Sequence, residues 1–226
     1  MRVIAVVPAY RESRTVARVV RSLLPVTDSV VVVDDGSGDR TAEEARKAGA
    51  LVVRHCLNRG QGAALRTGTE FARRLGAEII VHIDADGQHE PAGLSDITEP
   101  IVSGQADAVF GSRFMGLKPE GMPLSRHCLL RMARLFNHVF LGIPLSWTDP
   151  QSGLRAMRIA VAERLCFRQD GMAHCSEILQ SVIRSGWRVT EVPVLVRYSG
   201  ETMAKGQKST DALRIVWQLI MGAFRQ

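Results

Sequence analysis

Asp84 and Asp86 stand two residues apart in Asp84-Ala85-Asp86-Gly87-Gln88-His89, directly after an apolar run. Two carboxylates at that spacing can turn toward one divalent cation as the chain leaves a strand, and Gln88 adds a neutral oxygen. Hard oxygen ligands suit Mg2+ or Mn2+, and Mg2+ commonly shares its shell with the phosphates of a ligand. The bland alternative is a polar strand-to-loop turn, where Asp and Gly are common. A calcium loop is excluded, because the twelfth position is Ser95 counted from Asp84 and Ala45 counted from Asp34.

A second acidic pair, Asp34-Asp35, precedes Gly36-Ser37-Gly38-Asp39, and Pro8-Ala9-Tyr10 follows the first apolar run. A carboxylate at Asp35 can accept hydrogen bonds from a nucleobase or ribose. Equally, Asp35-Gly36 and Ser37-Gly38 can be turn residues, with Asp39 capping the next helix. The Gly-x-Gly here lacks a third glycine and follows the second strand, so a dinucleotide fingerprint is unsupported; no Gly-x-x-x-x-Gly-Lys-Ser/Thr occurs either. Histidine-cysteine neighbours at 55–56, 127–128 and 174–175 lack the spacing of a zinc site.

These residues need a scaffold that gathers them. Residues 3–7, 30–33, 51–53, 78–83 and 108–111 read as strands, and helices are expected over about 13–24, 41–48, 62–75 and onward from Pro91. Continuous β-branched runs separated by helices indicate an α/β fold: a mostly parallel sheet with helices on both faces. Ligands of such sheets bind beyond the carboxyl ends of the strands, where all three polar segments fall. The second half is less regular, with helices over 123–141, 176–184 and 210–224 and strands over 152–157 and 188–196.

Composition bounds the partners. The chain has 226 residues, 46% hydrophobic and 23% charged, which is ordinary for a globular protein. No linker or internal repeat divides it, so a single domain with a C-terminal helical elaboration is expected. Residues 1–116 carry a balance of −1 and residues 117–226 a balance of +7, and 25 of the 29 basic residues are Arg. Arg suits forked recognition of phosphate. The first half is not basic and aromatics are 5%, so a nucleic-acid binder is set aside. Four cysteines without a Cys-x-x-Cys pair, and no signal peptide, favour a reducing cytosolic setting.

Taken together, Val7-Pro8-Ala9-Tyr10-Arg11-Glu12, Val32-Val33-Asp34-Asp35-Gly36-Ser37, Asn58-Arg59-Gly60-Gln61-Gly62-Ala63, Asp84-Ala85-Asp86-Gly87-Gln88 and Gly111-Ser112-Arg113-Phe114 resemble glycosyltransferase family 2, in that family's order. The likeness is to polyprenyl-phosphate sugar transferases related to dolichol-phosphate mannose synthase. Asp149-Pro150-Gln151-Ser152-Gly153-Leu154-Arg155-Ala156 and Glu191-Val192-Pro193-Val194 extend it to about residue 197.

The resemblance implies a GT-A fold, a nucleotide-diphospho-sugar donor of the GDP-mannose or UDP-glucose type, and Mg2+ or Mn2+. It implies that Pro8, Tyr10, Glu12 and Asp35 hold the nucleoside, and that Asp84, Asp86 and Gln88 hold the cation. Residues 1–116 would then be the nucleotide-sugar half and 117–226 the acceptor half. Arg113 and Arg126 would face phosphate, and Lys205 lies in a basic stretch resembling the family's tail over the donor. One departure is Gln61, where many relatives have Lys. A polyprenyl-phosphate acceptor at the cytosolic membrane face needs no general base. A glycan hydroxyl would need one, and Asp149 and Glu177 are the candidates. A catalytically silent partner subunit is the third reading. Residues 210–224 are too few to span a bilayer, which takes about 20. They suit a peripheral membrane contact, a partner subunit, a second copy or their own domain.

Overall fold

The computed structural model describes residues 1–89, 93–116, 122, 124–165, 167–171 and 174–197, and of Ser125 and Arg126 the backbone alone. Lys205, the helix expected over 210–224 and the helix starts expected at Pro91 and Pro123 lie outside these residues, as does the side chain of Arg126.

The first half is a run of β–α units. The strands are β1 (Val3–Ala9), β2 (Ser29–Asp34), β3 (Leu51–Arg54), β4 (Ile79–His82) and β5 (Ala108–Ser112). Between them lie α1 (Val16–Leu23), α2 (Thr41–Lys47), α3 (Gln61–Arg74) and α4 (Gly93–Val102). The second half adds α5 (Leu124–Leu141), β6 (Arg155–Arg158), α6 (Ile159–Arg164), α7 (His174–Arg184) and β7 (Val189–Pro193). Seven strands make one sheet in the order β3-β2-β1-β4-β6-β5-β7.

Every pairing in this sheet is parallel except those of β6, which runs antiparallel to both β4 and β5. The expected strand over 152–157 therefore exists, shifted toward Arg158, but its direction was not legible. Nor was α6, a helix of six residues. The second half is more than a helical elaboration, since β6 and β7 complete the sheet.

Alternation along the strands builds two cores. Ala5, Val7 and Ala9 face one with Val16, Val20, Leu94 and Ile97; Ile4 and Val6 face the other with Leu65, Ile178 and Leu179. Side chains two apart share a face, so the inner strands β1, β2, β4 and β5 are buried on both sides, while the edge strands β3 and β7 stay partly exposed. α3 approaches β1 closely enough that a Cβ at Gly68 would collide with Val6.

The sheet opens at one rim. β1 pairs with β2 from Ile4 to Ala9 but with β4 only from Val3 to Val6. Pro8 sits past the last β4 pairing, where a missing N–H is tolerated. The carboxyl ends of β1, β2, β4 and β5 line this rim, where open α/β sheets take ligands in a crevice. Because β6 is reversed, its amino end reaches the same rim and brings Asp149 to Gly153 with it.

Candidate active site

On one side of the crevice, Asp35 and Asp84 are held by backbone N–H groups, an imidazole and an amide. Asp35 follows β2 and is buried. Its Oδ1 accepts from the Arg59 N–H at 3.0 Å and lies 2.7 Å from His55 Nδ1; its Oδ2 accepts from the Gly60 N–H at 2.7 Å. His55 is fixed from behind by Thr67 Oγ1, 2.9 Å from Nε2. Gly60 has φ +100°, a conformation open to glycine at little cost, and α3 begins at the next residue. That residue, Gln61, donates from Nε2 to Asp84 Oδ1 at 2.6 Å. Asp35 thus anchors the helix whose first side chain orients Asp84.

Asp84 and Asp86 leave the end of β4 partly exposed. Asp86 Oδ1 accepts from the Gln88 N–H at 3.0 Å, a tight turn that keeps both acids at the rim. Gln88 is 9% exposed, and its carbonyl accepts from the Arg197 N–H at 3.0 Å. Gly153 lies against the Asp84 carboxylate, which a Cβ would strike. Tyr10 and Glu12 complete this side from the turn after β1, where Arg11 has φ +57° and donates its N–H to Ser37 Oγ at 2.9 Å. Tyr10 is 41% exposed and carries the Arg11 guanidinium 5.1 Å from its ring centre. The Glu12 N–H is bound to Thr41 Oγ1 at 2.9 Å.

On the other side, carboxylates hold charge and turn. Asp149, 2% exposed, forks onto Arg113: Nε to Oδ2 at 2.6 Å and Nη2 to Oδ1 at 2.7 Å, with the Arg113 N–H to Oδ2 at 3.2 Å. Glu177 Oε2 accepts the N–H groups of Arg168 and Gln169, each at 2.9 Å. Glu191 accepts from Thr148 and Asp149 of the turn before β6; burial pushes its carboxyl up, against the pull of those donors. His89 lies at the seam. Burial lowers its imidazole, Asp84 and Asp149 act to raise it, and Arg113 acts to lower it.

Beneath Asp84 is a buried floor built around the Arg155 guanidinium. Arg155, 1% exposed, donates from Nε to His82 Nδ1 at 3.1 Å. His82 therefore carries its proton on Nε2 and donates to Thr69 Oγ1 at 2.9 Å. Burial first, then the Arg155 charge, holds His82 well below its ordinary range. The same two causes bring His174 to about 4.

The structure thus collects Pro8, Tyr10, Glu12, Asp35, Asp84, Asp86, Gln88, Arg113 and Asp149 on one rim. Sequence reasoning assigned no role to His55, His89 or Glu191, and treated Gln61 only as a departure. The Glu-Val-Pro-Val segment marked Glu191 without a partner to explain it.

A model of glycosyl transferase family 2 matches residues 4–146. The chain belongs to that family. It is a glycosyltransferase with a GT-A fold. It is 31% identical to the UDP-N-acetylglucosamine–dolichyl-phosphate N-acetylglucosaminyltransferase of Methanococcus voltae, over 96% of this chain and 94% of that one. With the polyprenol monophosphomannose synthase of Mycolicibacterium smegmatis it shares 32% identity, over 85% of this chain and 76% of the relative. Glucosyl-3-phosphoglycerate synthase from Mycobacterium tuberculosis, solved in complex with Mn2+, UDP-glucose and phosphoglyceric acid, superposes with a TM-score of 0.79 at 21% identity. That match covers 97% of this chain and 77% of the other. For this family member, the earlier expectation of an α/β glycosyltransferase holds.

Proposed function

We propose that the chain transfers a hexose, with inversion, from a GDP-mannose- or UDP-glucose-type donor to a polyprenyl phosphate at the cytosolic face of a membrane. The observation that carries this reading is the commitment of both candidate bases. Asp149 spends both oxygens on Arg113, and Glu177 caps two backbone N–H groups. A hydroxyl acceptor needs a carboxylate within reach to take its proton. A phosphate acceptor arrives anionic and needs no base, and the Arg113 guanidinium, held by Asp149, faces it as a hydrogen-bond donor. The names of the relatives from Methanococcus and Mycolicibacterium favour the same acceptor class.

In this reading Asp35, Glu12, Tyr10 and Pro8 flank the nucleoside, and Asp84, Asp86 and Gln88 hold Mg2+ or Mn2+. The residues fit such an ion: two hard carboxylates stand at the rim, and Gly153 keeps Asp84 free of a crowding side chain. Among the described residues no group of three or more His, Cys, Asp or Glu forms a cage, so ligand phosphate would complete the shell. Bound there, the cation supplies charge neutralisation for the leaving diphosphate. An acceptor phosphate oxygen bonds to the anomeric carbon from the face opposite the leaving diphosphate. The bond from that carbon to the diphosphate oxygen breaks with its electron pair, and no proton moves. Arg113 orients the incoming phosphate, joined by Arg126 and Lys205 from outside the described residues.

Residues 1–116 serve as the donor half and residues 117–226 as the acceptor half. Among the described residues no helix is long and apolar enough to cross a membrane. A peripheral contact is supported by α5, where Leu124, Met132, Leu135, Val139 and Phe140 are exposed beside Arg131. The test is a transfer assay of the full chain with Mn2+ or Mg2+ and a panel of nucleotide-sugars. Labelled polyprenyl phosphate is expected; labelling of glycan hydroxyls, or of nothing, overturns the reading.

A further inference from the structure

Glu191 lies on β7, one strand away from β6, and its carboxylate takes three hydrogen bonds from a single turn. Oε2 accepts the Thr148 N–H at 2.8 Å and the Thr148 hydroxyl at 3.1 Å, and Oε1 accepts the Asp149 N–H at 2.9 Å. The parallel register of β5 and β7 pairs Phe110 with Glu191 and Ser112 with Pro193, which fixes how far the side chain stands from the Arg113 turn.

The donors in this network have one consistent direction. Thr148 has a single hydroxyl hydrogen and gives it to Glu191, so the Ser112 hydroxyl must donate to Thr148 Oγ1, with the oxygens 2.5 Å apart. Ser112 Oγ in turn accepts the Phe114 N–H at 3.1 Å. The chain of bonds therefore runs from Phe114 through Ser112 and Thr148 to Glu191. It returns from Glu191 through the Asp149 N–H to the Asp149 carboxylate, and so to Arg113. Arg113 is bracketed on both sides by one carboxylate that does not touch it.

We infer that Glu191 is a positioning residue for the acceptor phosphate: it holds the 148–149 turn so that Asp149 presents Arg113 in one pose. The inference rests on the proposed acceptor. A carboxylate is required because both of its oxygens accept. Glutamine offers one acceptor and turns an N–H2 group against a backbone N–H, and aspartate is one methylene short.

The experiment is initial-rate kinetics of the full chain with Mn2+, nucleotide-sugar and a short-chain polyprenyl phosphate, comparing wild type with Glu191→Gln. A misplaced guanidinium weakens acceptor binding alone, so the acceptor KM is expected to rise about tenfold while the donor KM stays within about twofold. Asp149→Asn combined with Glu191→Gln is expected to match Asp149→Asn alone, because the two act in series. Equal shifts in both KM values, no shift, or additive losses in the double variant overturn the inference. Where Glu191→Gln loses metal-dependent nucleotide binding in calorimetry and has not folded, Thr148→Val is read instead. It removes one arm and is expected to raise the acceptor KM about threefold, with the donor KM unmoved; any other pattern counts against the inference. A wild type that never labels polyprenyl phosphate defeats the acceptor reading and this inference with it. An active wild type with unsplit constants defeats this inference alone.

Discussion

The two sides of the crevice use the same side-chain type in opposite ways. On the β1–β2–β4 side, Asp35 and Asp84 are gripped by backbone N–H groups, the His55 ring and the Gln61 amide. On the β5–β6–β7 side, Asp149 is spent on a guanidinium, and Glu191 on the turn that carries Asp149. Neutral partners orient a carboxylate without cancelling its charge, so Asp84 can still attract a cation. A forked Arg cancels the charge of Asp149 and turns that residue into a clamp. Acidity at a rim therefore identifies a ligand only once its partner is known.

The contrast can be broken at several points. The largest effect is expected for Asp84→Asn. It keeps the Gln61 contact geometry but removes the charge, and transfer should fall by about 100-fold or more. Metal-dependent nucleotide binding, followed by calorimetry, should be lost with it. Undiminished binding would remove Asp84 from the donor side.

Asp149→Asn should act on stability more than on chemistry. Leaving Arg113 buried without its partner costs about 3 kcal/mol, measurable by urea unfolding. Residual transfer should keep the wild-type acid limb of its pH profile; a flattened limb would make Asp149 a base after all.

Gly153→Ala sharpens the comparison, because Gly153 belongs to the β6 turn but touches the β4 carboxylate. The added methyl must displace Asp84, so metal-supported nucleotide affinity should drop about tenfold while unfolding stays within about 1 kcal/mol of wild type. A binding loss without the metal as well would point to a wider disturbance.

A further effect concerns the floor beneath Asp84. Burial depresses His82 and His174, so the unfolded chain takes up protons that the folded chain refuses. Stability is then level above pH 6.5 and declines as pH falls from 6.5 toward about 4. His174 alone should account for about 2 kcal/mol of loss at pH 5. Denaturation curves for wild type and His174→Gln at pH 7.5 and pH 5 test this. An equal loss in both would exclude His174 as its source.

Much of the β1–β2–β4 side was legible because its signals are local. The apolar runs ending at Pro8, at Asp34-Asp35 and at Asp84-Ala85-Asp86 each announce a strand and the residue type at its end, and parallel β–α units carry those ends to one rim. His55 was passed over because its partners, Asp35 and Thr67, are 20 and 12 residues away. Arg113 was legible as a candidate for phosphate by type, but its fork onto Asp149 spans 36 residues with α5 between.

By itself, then, the sequence determined the family, the α/β layering and which residues end the first-half strands, because hydrophobic period and turn chemistry act over a few neighbours. The tertiary structure alone decided the reversal of β6, the meeting of Gly153 with Asp84, and the division of the acids into those that offer charge and those that spend it. Strand direction is set by pairing across the sheet, and a carboxylate's role by the donor within about 3 Å of it.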